Sequence, residues 1–212
     1  MRNIVTGIMV VVVIGLAAFG FYMVTQKMKD MKGGFSNKKS DRNASKEAYL
    51  EKAENLLGDL EQASAIAQSQ CALLEEVWTN VTSKKSSADT DRYTKDENGE
   101  FFTDYAEALD RLRNDEEFDA RQKQLAEAEA ALMEKFNNID DVPVECKVMH
   151  TSLKECCTAL SDLTAYTAGG RDSSVYMYHS EWTGAKSKFD ASVSVFRFAA
   201  DNMRKVMDFG NR

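Results

Sequence analysis

YLEKAENLLGDLEQASAIAQSQCALLEEVWTNV, Tyr49 to Val81, decides the fold. Within it Leu50, Ala53, Leu57, Leu60, Ser64, Ala67, Cys71, Leu74, Trp78 and Val81 recur at steps of three and four. At 3.6 residues per turn that spacing stacks them along one side of a long amphipathic helix. The reading places this first helix at about Ser45 to Thr82.

The same logic carries down the chain. Lys84 to Gly99 is polar, and Glu97-Asn98-Gly99 is turn chemistry, so a long excursion separates the first helix from the second. Phe102, Tyr105, Leu109 and Leu112 form a short stripe; Asn114 followed by Glu117 has the shape of a helix cap with its reciprocal partner. A break near Asn114 is therefore expected, with a restart through Phe118, Leu125, Ala128, Leu132 and Phe136 that ends at Asn137, Asn138 and Asp140. Pro143, the only proline, stands where a first helical turn tolerates it. A third seam runs Cys146, Met149, Leu153, Cys156, Leu160, Leu163, Thr167 and stops at Gly169-Gly170. Ser173 or Ser174 is expected to cap a last helix with the seam Val175, Tyr178, Trp182, Ala185, Phe189, Val193, Phe196, Ala200, Met203 and Met207. No stretch alternates with period two. The expected fold is all-α, an up-and-down antiparallel four-helix bundle with its second helix broken near Asn114.

Ahead of the bundle stands a different kind of segment. Ile4 to Val24 is uncharged and as a helix spans about 30 Å, the thickness of a bilayer's hydrocarbon core. Ala18-Phe19-Gly20 offers a small-x-small cleavage site, but apolar residues continue through Phe21, Tyr22, Met23 and Val24, which favours a retained transmembrane helix over a cleaved signal peptide. Residues 1–26 are read as the anchor, 27–44 as a basic flexible stalk, and 45–212 as the bundle domain. Residues 27–46 hold seven Lys or Arg against Asp30 and Asp41, a balance of +5; with Arg2 at +1 and the whole chain at −7, residues 47–212 carry −13. A basic collar of this kind attracts anionic lipid headgroups, while the acidic body argues against nucleic acid as a partner. Lys and Arg within ~20 residues of the apolar run lie mostly on its C-terminal side, which favours a cytoplasmic domain on a single-pass cell-membrane protein.

Val77-Trp78-Thr79-Asn80-Val81, Thr94-Lys95-Asp96 to Gly99, Phe101 to Leu112 followed by Asn114-Asp115-Glu116-Glu117-Phe118, Val142-Pro143, and Leu163 with Tyr166 before a Gly-containing turn succeed one another in an order that resembles an uncharacterised family of membrane-tethered helical-bundle proteins of Gram-positive bacteria. The resemblance covers residues 45–208. It implies a helical bundle on a membrane anchor, and no activity comes with it.

Candidate chemistries reduce to structural roles. Cys146, His150 and Cys157 fall within about 40 degrees around a helix, but Cys146 and Cys157 stand ~16 Å apart along it, too far for one zinc ion at ~2.3 Å from each sulfur. Cys146 with His150 is at most a two-ligand start, and buried cysteine is ordinarily a small core hydrophobe. Cys71 and Cys156 share a layer but lie on diagonal helices, so four reduced thiols are expected. Asp89, Asp91, Asp96, Glu97, Asn98 and Glu100 crowd one loop, yet an EF-hand register from Asp96 puts Phe101 at the glycine position and one from Asp89 puts Thr94 there. Gly169-Gly170-Arg171-Asp172-Ser173-Ser174 lacks the P-loop spacing and its lysine. Asn43-Ala44-Ser45 and Asn80-Val81-Thr82 match glycosylation sequons. With only His150 and His179 present, no Ser/His/Asp set can be assigned.

The sequence therefore predicts a non-enzymatic interaction or scaffold module with a protein partner, no cofactor, no metal and no small-molecule substrate. The alternative is a sensor or binding protein taking a small hydrophobic ligand or metal into the bundle. A cavity lined by Trp182 and Phe189 would favour the second; a filled core with an exposed apolar patch would favour the first.

Overall fold

A computed structural model describes residues 36–169 and 174–210, with side chains from 42 to 169 and from 174 to 208. Six α-helices order the described chain: α1 Ser36–Ser83, α2 Asp91–Thr94, α3 Tyr105–Arg113, α4 Glu116–Asn137, α5 Lys147–Thr164 and α6 Val175–Gly210. Short 3-10 turns, Val144–Cys146 and Ala165–Ala168, bracket α5. Among the described residues there is no strand, only an isolated antiparallel bridge between Lys95 and Phe101.

The helices distribute over two compact units. One gathers the described parts of Met1–Gly58, Lys135–Cys156 and Asp190–Arg212; the other gathers Asp59–Glu134 and Cys157–Phe189. In the first unit Leu50, Ala53, Leu57, Met149, Leu153, Phe196 and Met203 are buried; in the second Leu60, Leu74, Trp78, Leu112, Leu125, Leu160, Leu163, Tyr178 and Phe189 are. These are the residues whose spacing defines the seams, and a seam buried along its length is what holds an amphipathic helix in place. Both tryptophans are largely buried, Trp78 at 5% and Trp182 at 9% exposure.

Several local expectations need correction. α1 begins at Ser36, nine residues before the expected Ser45, so the part of the expected flexible stalk from Ser36 to Ala44 is helical. No glycine or proline stands there to break it, and Arg42 and Lys46, one turn apart, both approach Glu145. The break at Asn114 is present, but the cap belongs to its neighbour: Asp115 Oδ1 accepts the backbone N–H groups of Glu117 and Phe118, both at 3.1 Å. Asn114 instead closes α3, donating from Nδ2 to the Asp110 carbonyl at 2.8 Å. Ser174 does cap α6, accepting the Met177 N–H at 3.3 Å. Tyr105, expected in a core stripe, is exposed on one face and stacks on Trp78 with ring centroids 4.6 Å apart.

The polar excursion after α1 folds back on it. Lys84 takes a left-handed φ of 52°, Lys84 N–H reaches the Val81 carbonyl and Lys85 N–H the Asn80 carbonyl at 3.0 Å, a Schellman ending made without glycine. The reversal buries Thr90, Tyr93 and Thr94, and Asn80 Nδ2 donates to Thr90 Oγ1 at 2.8 Å. Asp96 then organises the next turn: its Oδ1 accepts the N–H groups of Asn98 and Glu100, each at 2.9 Å, with Gly99 at φ 81°. The apolar run Ile4 to Val24 lies outside the described residues; among the described residues no helix is long and apolar enough to cross a membrane.

Candidate functional site

Glu75 and Glu76 lie beside seam residue Leu74 on α1, and His179 and Trp182, one turn apart on α6, flank buried Tyr178. The second unit brings these four together. Trp182 Nε1 donates to Glu75 Oε2 at 2.8 Å, and His179 Nδ1 lies 2.9 Å from each oxygen of the same carboxylate. An acceptor-only carboxylate requires a proton on that ring nitrogen. The two rings meet edge to face, centroids 6.0 Å apart. Glu75 thus fixes an aromatic wall by two charge-assisted contacts.

Further lining comes from the chain reversal after α1. Lys85, Ser86 and Ser87 line the same groove, with Ala72, Thr79 and Asn80 completing a cavity of about 610 Å³. Ser87 Oγ donates to Glu76 Oε1 at 3.1 Å, and Lys95 Nζ donates to Ser86 Oγ at 2.6 Å while pairing with Asp91 at 2.9 Å. The Lys95 ammonium, with the Ser87 N–H, holds the Asp91 carboxyl below the usual carboxylate range. Phe189, buried, does not line this groove.

The second surface feature is apolar. Tyr176 and Met177, in the first turn of α6, are 80% and 52% exposed.

Sequence-proposed chemistry meets a different geometry. Cys146 is buried, and burial first and the nearby Glu145 second push its thiol up to about 11, so it is a neutral thiol at physiological pH. His150 stacks on Phe136 at 4.7 Å and tilts against Tyr49 at 6.2 Å. Burial, then Lys154, hold His150 below its ordinary pKa, and its Nδ1 and the Tyr49 hydroxyl are buried without a hydrogen-bond partner. Among the described residues no group of three or more His, Cys, Asp or Glu is placed to hold a metal ion. Asp96 of the acidic loop is occupied as a turn former, and Asn80 of the second sequon is buried in α1. The stretch 170–173 of the glycine turn lies outside the described residues. Nearby in the first unit, Lys46 and Glu145, both buried, pair at 3.2 Å, with Arg42 at 3.1 Å from the same oxygen.

The Glu75, His179 and Trp182 cluster is the arrangement that sequence reasoning missed. Its partners stand 104 and 107 residues apart, and the available signal was the one-turn spacing of His179 and Trp182. No family model, curated protein or solved structure matches the chain.

Proposed function

We infer that this chain is a single-pass membrane protein whose helical domain is a protein-interaction or scaffold module. The observation that carries the reading is the Tyr176 and Met177 pair, two large apolar side chains left exposed in the first turn of α6. Side chains of that size exposed together are a usual mark of a protein-binding surface. The helices are read as four arms of an up-and-down antiparallel bundle, the second broken at Asn114, carried on a transmembrane anchor at Ile4 to Val24 with the domain on the cytoplasmic side. The uncharged length of that run and the +5 collar after it support this placement.

A photo-crosslinking residue in place of Met177, compared with one in place of the exposed Lys123, tests the reading in native membranes. The module predicts a discrete adduct from position 177 and none from 123; equal labelling or no adduct defeats it. A membrane-impermeant protease added to intact cells tests the sidedness, because digestion of the domain would place it outside.

A second reading, a ligand-binding protein, is favoured by one specific observation: the groove lined by Trp182. The groove lies at the surface and mixes charged, hydroxyl and aromatic side chains, which supports a polar ligand for this reading.

A further inference from the structure

We propose that the groove between α1, the Lys85 to Ser87 reversal and the start of α6 binds a zwitterion of the peptide class, a short chain with free ammonium and carboxylate ends. The groove is lined by groups of both signs: the Glu75 and Glu76 carboxylates with the His179 and Trp182 rings, and the Lys85 ammonium with the Ser86 and Ser87 hydroxyls, Ser87 reaching Glu76 at 3.1 Å.

Glu75 is engaged by His179 and Trp182, so its work is to hold the rings in place. Glu76 is exposed and receives one hydroxyl, from Ser87, on Oε1; a carboxylate has about four acceptor positions, and the remaining ones suit a ligand ammonium. His179 and Trp182, both held by Glu75, form the aromatic part of the lining. Lys85, exposed on the chain reversal, and the Ser86 hydroxyl, which accepts from Lys95 and keeps its own proton to donate, suit a carboxylate.

A ligand with one charge would meet a like charge among the lining residues, whereas a zwitterion finds a partner for each end. The volume of about 610 Å³ falls inside the range of small-molecule sites and exceeds the need of one amino acid, so a peptide of a few residues fills it better. The wall positions are pre-set. Glu75 locks the rings, and the left-handed Lys84 together with the Asn80 to Thr90 bond fixes the reversal that carries Lys85.

The test uses the full chain in detergent micelles, labelled with ¹⁵N and read at the two indole N–H resonances. Glu75→Gln identifies the Trp182 signal, and Trp78 serves as the internal reference. Triglycine is the probe, with N-acetyl-triglycine, triglycine amide and the doubly capped peptide as controls. Triglycine should shift the Trp182 resonance saturably and leave that of Trp78 in place. Each single cap should weaken binding by about tenfold, the effect of losing one charge-assisted contact. Glu76→Gln should remove the penalty for acetylation and Lys85→Ala the penalty for amidation; both residues are exposed, so folding is retained. Absence of a saturable Trp182 shift with millimolar triglycine, or equal binding of the doubly capped peptide, overturns the proposal.

Discussion

The indole N–H of Trp182 donates to Glu75 Oε2 at 2.8 Å across 107 residues of sequence. Because the Trp182 side chain is otherwise buried and Glu75 is half-buried, this contact joins the apolar seam of α6 to the polar flank of α1. One carboxylate completes the hydrogen bonding of a core ring and aligns the exposed imidazole of His179 beside it.

Replacing Glu75 separates these duties. Glu75→Leu strands the indole N–H, and an unpaired buried donor costs about 1–3 kcal/mol. Glu75→Gln retains an acceptor for it and should lose less than half of that. Urea unfolding checks both, and a leucine variant as stable as the parent would show that the indole finds water instead.

The Lys46 and Glu145 pair governs the acid limb of stability. Burial raises the Glu145 pKa, but the hydrogen bond from its own backbone N–H and the charges of Lys46 and Arg42 outweigh it, and the net direction is down from 4.5. A carboxyl depressed in the folded state contributes stability that is present above its unfolded value and lost as pH falls through the folded one. His150, also depressed, from 6.5, acts at higher pH: below that value the unfolded chain takes up the proton first, so stability declines as pH drops. Thermal unfolding between pH 8 and pH 3 should therefore show two successive losses, with His150→Gln removing the earlier one. Glu145→Gln leaves the Lys46 ammonium buried without its partner and should cost about 3 kcal/mol, whereas Lys46→Met with Glu145→Leu should recover most of it.

How far the fold could be read beforehand follows from where its stability lies. Steps of three and four place Leu57, Leu74, Leu160 and Phe196 in the core because burial of an apolar stripe outweighs local preference along a long helix. The cap at Asn114 was displaced by one residue because Asp115 is an equally good acceptor and sequence spacing does not choose between neighbours. The turn at Glu97-Asn98-Gly99 was readable, whereas the segment from Lys84 to Thr94 was illegible for a different reason. Its order comes from polar pairs such as Asn80 with Thr90 and from a lysine at positive φ, neither of which has a periodic signature. The groove shares that obscurity, since Glu75 and Lys85 read as ordinary solvated charges until the reversal and α6 meet them.

That reversal makes its own prediction. Lys84 is held at φ 52°, a conformation that costs a side-chain-bearing residue about 1 kcal/mol and glycine almost nothing. Lys84→Gly should raise stability by about 0.5–1 kcal/mol, while Thr90→Val, which leaves the buried Asn80 amide without its acceptor, should lower it by about 1–3 kcal/mol. Opposite signs from two sites in one turn would confirm that the turn is built as described; a destabilised glycine variant would mean that the Lys84 side chain is needed there.

The thiols give the last test. Cys71, Cys146, Cys156 and Cys157 are thiols outside any disulfide, and all four are buried. Burial, the leading cause in each case, pushes Cys71, Cys146 and Cys157 up to about 11; for Cys71 the Tyr178 hydroxyl pulls slightly the other way. Only the thiolate attacks a disulfide reagent, so at pH 8 these three are both shielded and neutral. Native protein should release no thionitrobenzoate from the aromatic disulfide reagent within the time in which urea-unfolded protein releases four equivalents. The native reaction should then proceed at the unfolding rate, with all four thiols appearing together if the two units open as one, or in two steps if they open separately. Cys146 and Cys156 belong to one unit and Cys71 and Cys157 to the other, so the stepwise case would divide them two and two. Rapid labelling of one thiol in folded protein would contradict the burial of that residue and the helix register that places it in the core.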